Sequence, residues 1–219
     1  YPGKGMGIDL QRWGGYRKAR VPNNQYLAFT SFLWVMHSIA NSPPYKAKHP
    51  EFVKFYYAEA TGMLKYIKSV LKYDAKNDAY DWTYHNPAAT RSEHLGYAGM
   101  DCRAVIEGYI RGSKVFSEKE MKRFANTFRR VMWNKDADKP MFSYYVNGKG
   151  GHEKNLDVDM VRFCRFDPRL FELSKKWYEN RPKNDGGRGA PHFALFAFLQ
   201  KHGTAPESQL YFKRFKRKK

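Results

Sequence analysis

Thr90-Arg91-Ser92-Glu93-His94-Leu95-Gly96-Tyr97-Ala98-Gly99-Met100-Asp101 is the stretch on which the reading of the chain turns. Thr90 and Glu93 stand at capping-box spacing, in which a threonine hydroxyl accepts from the backbone N–H three residues on and the glutamate reaches back. An apolar-rich run then continues to Gly112, which predicts a central helix over about 91–111. At about 100° per residue, Tyr97 and Asp101 fall roughly 60° and 20° from His94, so the three are expected on one face. Gly96 and Gly99 are costly in a helix and suggest close approach by a neighbour or a ligand. The aromatic, polar segment Tyr80-Asp81-Trp82-Thr83-Tyr84-His85-Asn86-Pro87 leads into it. Two readings follow: a catalytic wall facing a cleft, or a buried polar knot tying a loop to a helix.

Outward from this segment the sequence is dominated by helical periodicity. An apolar helix is expected over about 25–40, buried on several sides because Leu27, Phe29, Phe32, Leu33, Val35 and Met36 cover most of its circumference. Pro50 opens a longer helix over about 51–73, with apolar residues at spacings of three and four and lysines on the remaining face. Ser117-Glu118-Lys119-Glu120 is a second capping box, starting a helix over about 118–134. Asp167-Pro168 should cap a helix over about 168–180, and Pro191 begins a final apolar helix ended by Gly203. The segments at 141–146 and 158–163 are the only candidates for short strands. The expected class is all-α: antiparallel helix pairs in one domain, residues 1–212, forming a complete or incomplete α/α toroid with long loops at one rim, followed by a basic tail at 213–219.

Charge narrows the partners. The 219 residues carry a formal net charge of +19, and six of the 40 basic residues lie in the last seven positions. The body is therefore basic without the tail, which points to a polyanion: acidic polysaccharide, nucleic acid or anionic lipid. The tail alone can serve nucleic acid or lipid. Aromatic residues make up 17% of the chain. Arg12 and Trp13 in the glycine-rich first segment, Trp82, and Tyr144-Tyr145 in the long loop at 135–155 are suited to stacking on flat or ring-shaped ligands. Cys102 and Cys164, the only cysteines, have no metal-ligand spacing and are expected as buried free thiols. No phosphate-binding glycine loop, nucleophile triad or complete metal site is present, no cofactor is implied, and no apolar run reaches transmembrane length.

Residues 91–101, the helix at 117–134 and Phe163-Cys164-Arg165-Phe166-Asp167-Pro168 together resemble bacterial α/α-toroid polysaccharide lyases acting on uronate polymers, the alginate- and glucuronan-lyase-like group. The pattern in that group is Arg-x-Glu-Asp-x-x-His-Ala-x-x-Asp at the mouth of an inner helix. Arg91, Glu93, Ala98 and Asp101 match it, while His94 stands where the pattern has Asp and Tyr97 where it has His. The resemblance implies β-elimination on an acidic polysaccharide in a periplasmic or secreted setting. Such toroids have more helices than are counted here, which suggests the C-terminal part of a longer protein. Elimination requires removal of the proton beside the sugar carboxylate and stabilisation of an enolate-like intermediate. Tyr97, His94, His85 and Tyr84 are the candidate proton-transfer groups; Arg91, Asn86 and Glu93, with Trp82, Trp13, Arg12, Tyr144 and Tyr145, are the candidate substrate contacts. A non-catalytic polyanion-binding protein, and a glycoside hydrolase using Glu93 and Asp101 as paired carboxylates, are the alternatives.

Overall fold

Pro22 stands at the entry to α1 (Asn23–Ala40), and the Asn24 side chain accepts from the N–H of Gln25 at 2.8 Å. A computed structural model describes residues 22–84, 91–152 and 158–180, with Ala194, Phe198 and Lys201. The expected helix after Pro191, the basic tail, and Arg12, Trp13, His85 and Asn86 lie outside the described residues. α1 is followed by a short α2 (Pro43–Lys48) and a long α3 (Pro50–Val70). Tyr26 meets Tyr66 and Trp34 meets Tyr57, with ring centroids 5.4 and 5.8 Å apart. Between them the Thr30 hydroxyl lies 3.3 Å from the Met63 sulfur. Partners that descend along α3 as they ascend along α1 make the pair antiparallel.

The central helix, α4 (Leu95–Ile110), runs the other way relative to α3. Its Gly108 approaches Trp34 and Leu64, and Arg111 just beyond its end donates to Ser38 near the end of α1 at 2.8 Å. Asn23, at the start of α1, donates through its side chain to the carbonyl of Thr83 at 2.6 Å and through its backbone to that of Tyr84 at 2.9 Å. α1 and α4 are thus parallel, and α1 is seated between α3 and α4.

Two sequence expectations change here. α4 starts at Leu95 and not at Arg91, because His94 is extended and serves as the N-cap, its Nδ1 accepting from the N–H of Gly96 at 2.9 Å. α1, expected to be buried on several sides, leaves Phe32, Val35 and Ile39 exposed.

The stretch after α3 contains a hairpin that periodicity missed. β1 (Lys72–Asp74) pairs antiparallel with β2 (Ala79–Asp81), Lys72 opposite Asp81 and Tyr73 opposite Tyr80. Asp74 holds the turn by accepting from the backbone of Lys76 and the side chain of Asn77, at 3.0 and 2.6 Å. Asp78 takes the left-handed conformation at φ 46°.

α5 (Glu118–Asn126) begins at the expected capping box and passes into a π-helical turn, Thr127–Met132. The hydroxyl of Thr127 bonds both the N–H and the C=O of Tyr80, at 3.0 and 2.7 Å, and so docks the hairpin on this turn. A short α6 (Val158–Val161) and a 3₁₀ turn occupy the segment weighed as a strand, and α7 (Arg169–Glu179) follows, with Asp167 accepting from the N–H of Arg169 at 3.2 Å. Of the α7 residues whose pattern predicts an inward face, Leu170, Leu173, Ser174 and Trp177 are buried and Phe171 is half-buried. The largest fully buried side chains include Trp34, Phe128, Phe142 and Phe163. The two cysteines are buried and not disulfide-bonded; burial pushes the Cys164 thiol up to about 12. Among the described residues, strand is confined to this hairpin, and no helix is long and apolar enough to cross a membrane.

Candidate functional site

Three extended segments converge at the start of α4. The N–H of Glu93 donates to the carbonyl of Trp82 at 2.8 Å, and the N–H of Tyr84 to that of Arg91 at 3.3 Å. On the other side, the N–H of Leu95 donates to the carbonyl of Tyr144 at 2.9 Å, and the N–H of Val146 to that of Glu93 at 3.0 Å. This pairing explains why residues 91–94 are not helical: two neighbouring segments claim their backbone groups, and tertiary bonding overrides a local capping pattern. The loop bearing Tyr144 and Tyr145 is itself shaped by Gly150 at φ +88°, where a Cβ would lie 2.7 Å from the Tyr145 ring.

The result is an aromatic and cationic cluster. The His94 and Tyr144 rings are 3.8 Å apart at their centroids, His94 and Tyr97 5.6 Å, and Tyr84 stacks on Tyr97 at 5.7 Å. The Arg91 guanidinium lies over the Tyr145 ring at 4.8 Å, and Tyr144 meets Tyr145 edge-on at 4.9 Å. Tyr97 is 45% exposed, so its hydroxyl-bearing ring stands open at the first turn of α4. Because Nδ1 of His94 accepts from Gly96, the neutral ring carries its hydrogen on Nε2, an atom closed off from solvent. Six of the residues singled out in the sequence, Tyr84, Arg91, His94, Tyr97, Tyr144 and Tyr145, therefore meet in one place.

Glu93, Trp82 and Asp101 do not belong to that surface. Trp82 is buried and donates its indole N–H to Asp101 at 2.7 Å. Trp82 therefore packs in the core and presents no ring for stacking on a sugar. Glu93 is fully buried, with one oxygen accepting from the N–H of His94 at 2.8 Å. A carboxylate so enclosed fixes the His94 turn and cannot touch a substrate. His94, being extended, stands outside the helical phase that was expected to align it with Tyr97 and Asp101; those two, four residues apart in α4, run from the surface at Tyr97 into the core at Asp101.

The two acids face each other electrostatically. Burial pushes Glu93 up to about 7, against the pull of the His94 N–H. Burial and then the Glu93 charge raise Asp101 well above the usual carboxylate range, although the Trp82 N–H opposes this. One oxygen of each, Oε2 of Glu93 and Oδ1 of Asp101, has no hydrogen-bond partner among the described residues. Neither raised pKa nor its cause was readable without the fold. Among the described residues, no three His, Cys, Asp or Glu side chains gather as a metal site.

No family model, curated protein or solved structure matches the chain.

Proposed function

We propose that the chain is a polysaccharide lyase, or the catalytic part of one, that cleaves an acidic, uronate-containing polymer by β-elimination at the cluster around His94 and Tyr97. The observation that carries this reading is the exposed Tyr97 ring set between Tyr84 and His94, with the Arg91 cation on the adjoining Tyr145 ring. In this mechanism Arg91 pairs with the uronate carboxylate and withdraws its charge as electron density moves onto it, while His94 fixes the first turn of α4 by accepting from the N–H of Gly96. Tyr97, as its phenolate, takes the proton from the carbon beside the carboxylate and becomes the neutral phenol. The electron pair released forms a carbon–carbon double bond, the bond to the glycosidic oxygen breaks, and a tyrosine returns the proton to that leaving oxygen. Tyr84, stacked on Tyr97, is the nearest partner for that second transfer.

The paired-carboxylate hydrolase is disfavoured, since Glu93 and Asp101 are buried and Asp101 is covered by the Trp82 indole. An α/α toroid is part of the same proposal, supported by the parallel pair α1 and α4 and by α3 lying antiparallel against α1. So is a periplasmic or secreted setting, where uronate polymers are met. The test is to incubate the protein with a panel of uronate polysaccharides and follow the ultraviolet absorbance of the unsaturated uronate that elimination alone creates. Reducing ends that appear without this absorbance would overturn the proposal in favour of hydrolysis, and an unchanged polymer would leave a binding protein.

A further inference from the structure

Beside the candidate site, and sharing chain with two of its three segments, lies a second concavity. It is a groove of about 270 Å³ whose floor is the hairpin face carrying Lys72, Asp74 and Asp81, and whose walls are Val131 on the π-helical turn and Val146-Asn147. Asp81 precedes Trp82 directly, and Val146 follows Tyr145. The volume falls just below the roughly 300–1,000 Å³ of a drug-sized site and suits a single ring.

Its walls are held. Tyr73, at the rim, bonds Asp78 through its hydroxyl at 2.9 Å and carries the Arg123 guanidinium over its ring at 4.3 Å. The Asn147 loop is pressed onto the π-helical turn at Gly148, where a Cβ would lie 2.9 Å from the Val131 carbonyl oxygen. A groove that keeps its shape without ligand loses little entropy on binding.

The chemistry of the lining differs from that of the neighbouring cluster. The Arg91 surface is cationic, whereas here two carboxylates face one ammonium in a protein of net charge +19. Asp81 is partly buried: its Oδ1, itself closed to solvent, has no hydrogen-bond partner among the described residues, and burial raises the pKa of the group despite its bond to Ser92. The lining offers acceptors in Asp81 and Asp74, a donor in Lys72 and both kinds in Asn147. That mixture matches hydroxyl groups, which donate and accept, and repels a second carboxylate.

We infer that this groove is a subsite for one neutral, hydroxyl-rich sugar unit, so that the polymer taken by the adjoining cluster is a heteropolysaccharide in which uronate and neutral sugars alternate. The inference rests on the proposed lyase reading for its polymer, but its binding claim is separately measurable.

The test uses the full chain labelled with ¹⁵N and titrated with cellotriose, mannotriose and galactotriose, and with trigalacturonate in parallel. At least one neutral trisaccharide should shift the backbone amides of Lys72–Asp74 and Ala79–Asp81 and the side-chain amide of Asn147. Asn147→Ala and Tyr73→Ala should each weaken that binding about tenfold. Asp81→Asn should do the same, and because Asn147 and Tyr73 are only partly buried or exposed, their variants keep the test usable if Asp81→Asn unfolds. Silence of these amides with every neutral trisaccharide, or equal shifts with trigalacturonate, would overturn the inference. The lyase reading is judged independently by ultraviolet product. Groove binding with no such product would sink the lyase reading alone, and product from homopolymeric uronates with unshifted groove amides would sink the groove alone.

Discussion

Tyr97 and Glu93 are four residues apart, yet they have opposite tasks, and their variants should separate cleanly. Tyr97→Phe removes one oxygen from a half-exposed ring and almost no packing. If Tyr97 moves the proton, turnover of the polymer should fall about 10²–10⁴-fold while the melting temperature and substrate affinity stay near wild type. Arg91→Ala should weaken binding as well, because it pairs with the carboxylate in the ground state too. Glu93 instead governs stability through pH. Its folded pKa of about 7 lies above that of an exposed glutamate, so the folded state holds the proton more tightly than the unfolded one. Stability should therefore be highest in mild acid and should fall as pH rises from about 4.5 to 7, by roughly 3 kcal/mol from this group if it acts alone. Thermal melts of Glu93→Gln across this range should show that decline flattened; an unchanged slope would mean the carboxyl ionises freely. The roles of these side chains were only partly legible in the sequence. Tyr84, Arg91, His94, Tyr97, Tyr144 and Tyr145 could be named because aromatic and cationic residues crowd two loops. The burial of Glu93, Trp82 and Asp101 stood only as the competing reading of a buried polar knot, and choosing it needed the fold, since a charged residue enters a core only when distant segments close over it.

α5 and α4 show how far local signals carry an element. Ser117 and Glu120 cap α5 in both directions, the glutamate accepting from the Ser117 N–H at 2.9 Å. Here the pattern met no competitor. Ser117→Ala should cost about 1 kcal/mol in chemical denaturation. The same pattern at Thr90–Glu93 failed to start a helix because Trp82, Tyr144 and Val146 take up the backbone of 93–95. The hairpin was hidden for another reason: three-residue strands give no measurable alternation, and its signal lay in the turn, Asp74 to Asp78, where asparagine and aspartate sit in positions that favour side-chain capping and a left-handed residue. Packing between elements is sharpest at Gly108, where a Cβ would come within 2.4 Å of Leu64 Cδ1. Gly108→Ala should destabilise the junction of α1, α3 and α4 by about 1–3 kcal/mol. Leu64→Ala should recover part of that loss in the double variant, a coupling that additive costs would contradict.

For the whole molecule, charge is the property that acts at a distance. If the body engages the polyanion, binding should weaken steeply as salt rises, because counterions released from a dense polyanion contribute to the driving force. Removing residues 213–219 should leave most of the affinity intact; loss of all binding on that deletion would assign the basic surface to the tail. The architecture was legible as a set of helices with the right apolar faces, and the antiparallel order of α1 and α3 follows from their short connection. Which helices lie parallel was not legible, since that depends on where Gly108 lets α4 approach α1.

The π-helical turn at Thr127–Met132 has a consequence for how the chain tolerates change in length. Such a turn holds one residue more than an α-helical turn, so it behaves as an insertion that the fold has absorbed. The Lys135 ammonium, donating to the carbonyls of Arg129 and Arg130 at 2.8 and 2.7 Å, takes up groups that the altered winding leaves over. Excising a single residue there would restore ordinary winding and turn everything upstream or downstream by about 100° about the axis. Either Thr127 would leave the hairpin or Trp133 would lose its pairing with Phe142. In a scan of single deletions along residues 118–132, the damage should thus reach Tyr80 and the loop of Tyr144 and Tyr145, far from the excised residue.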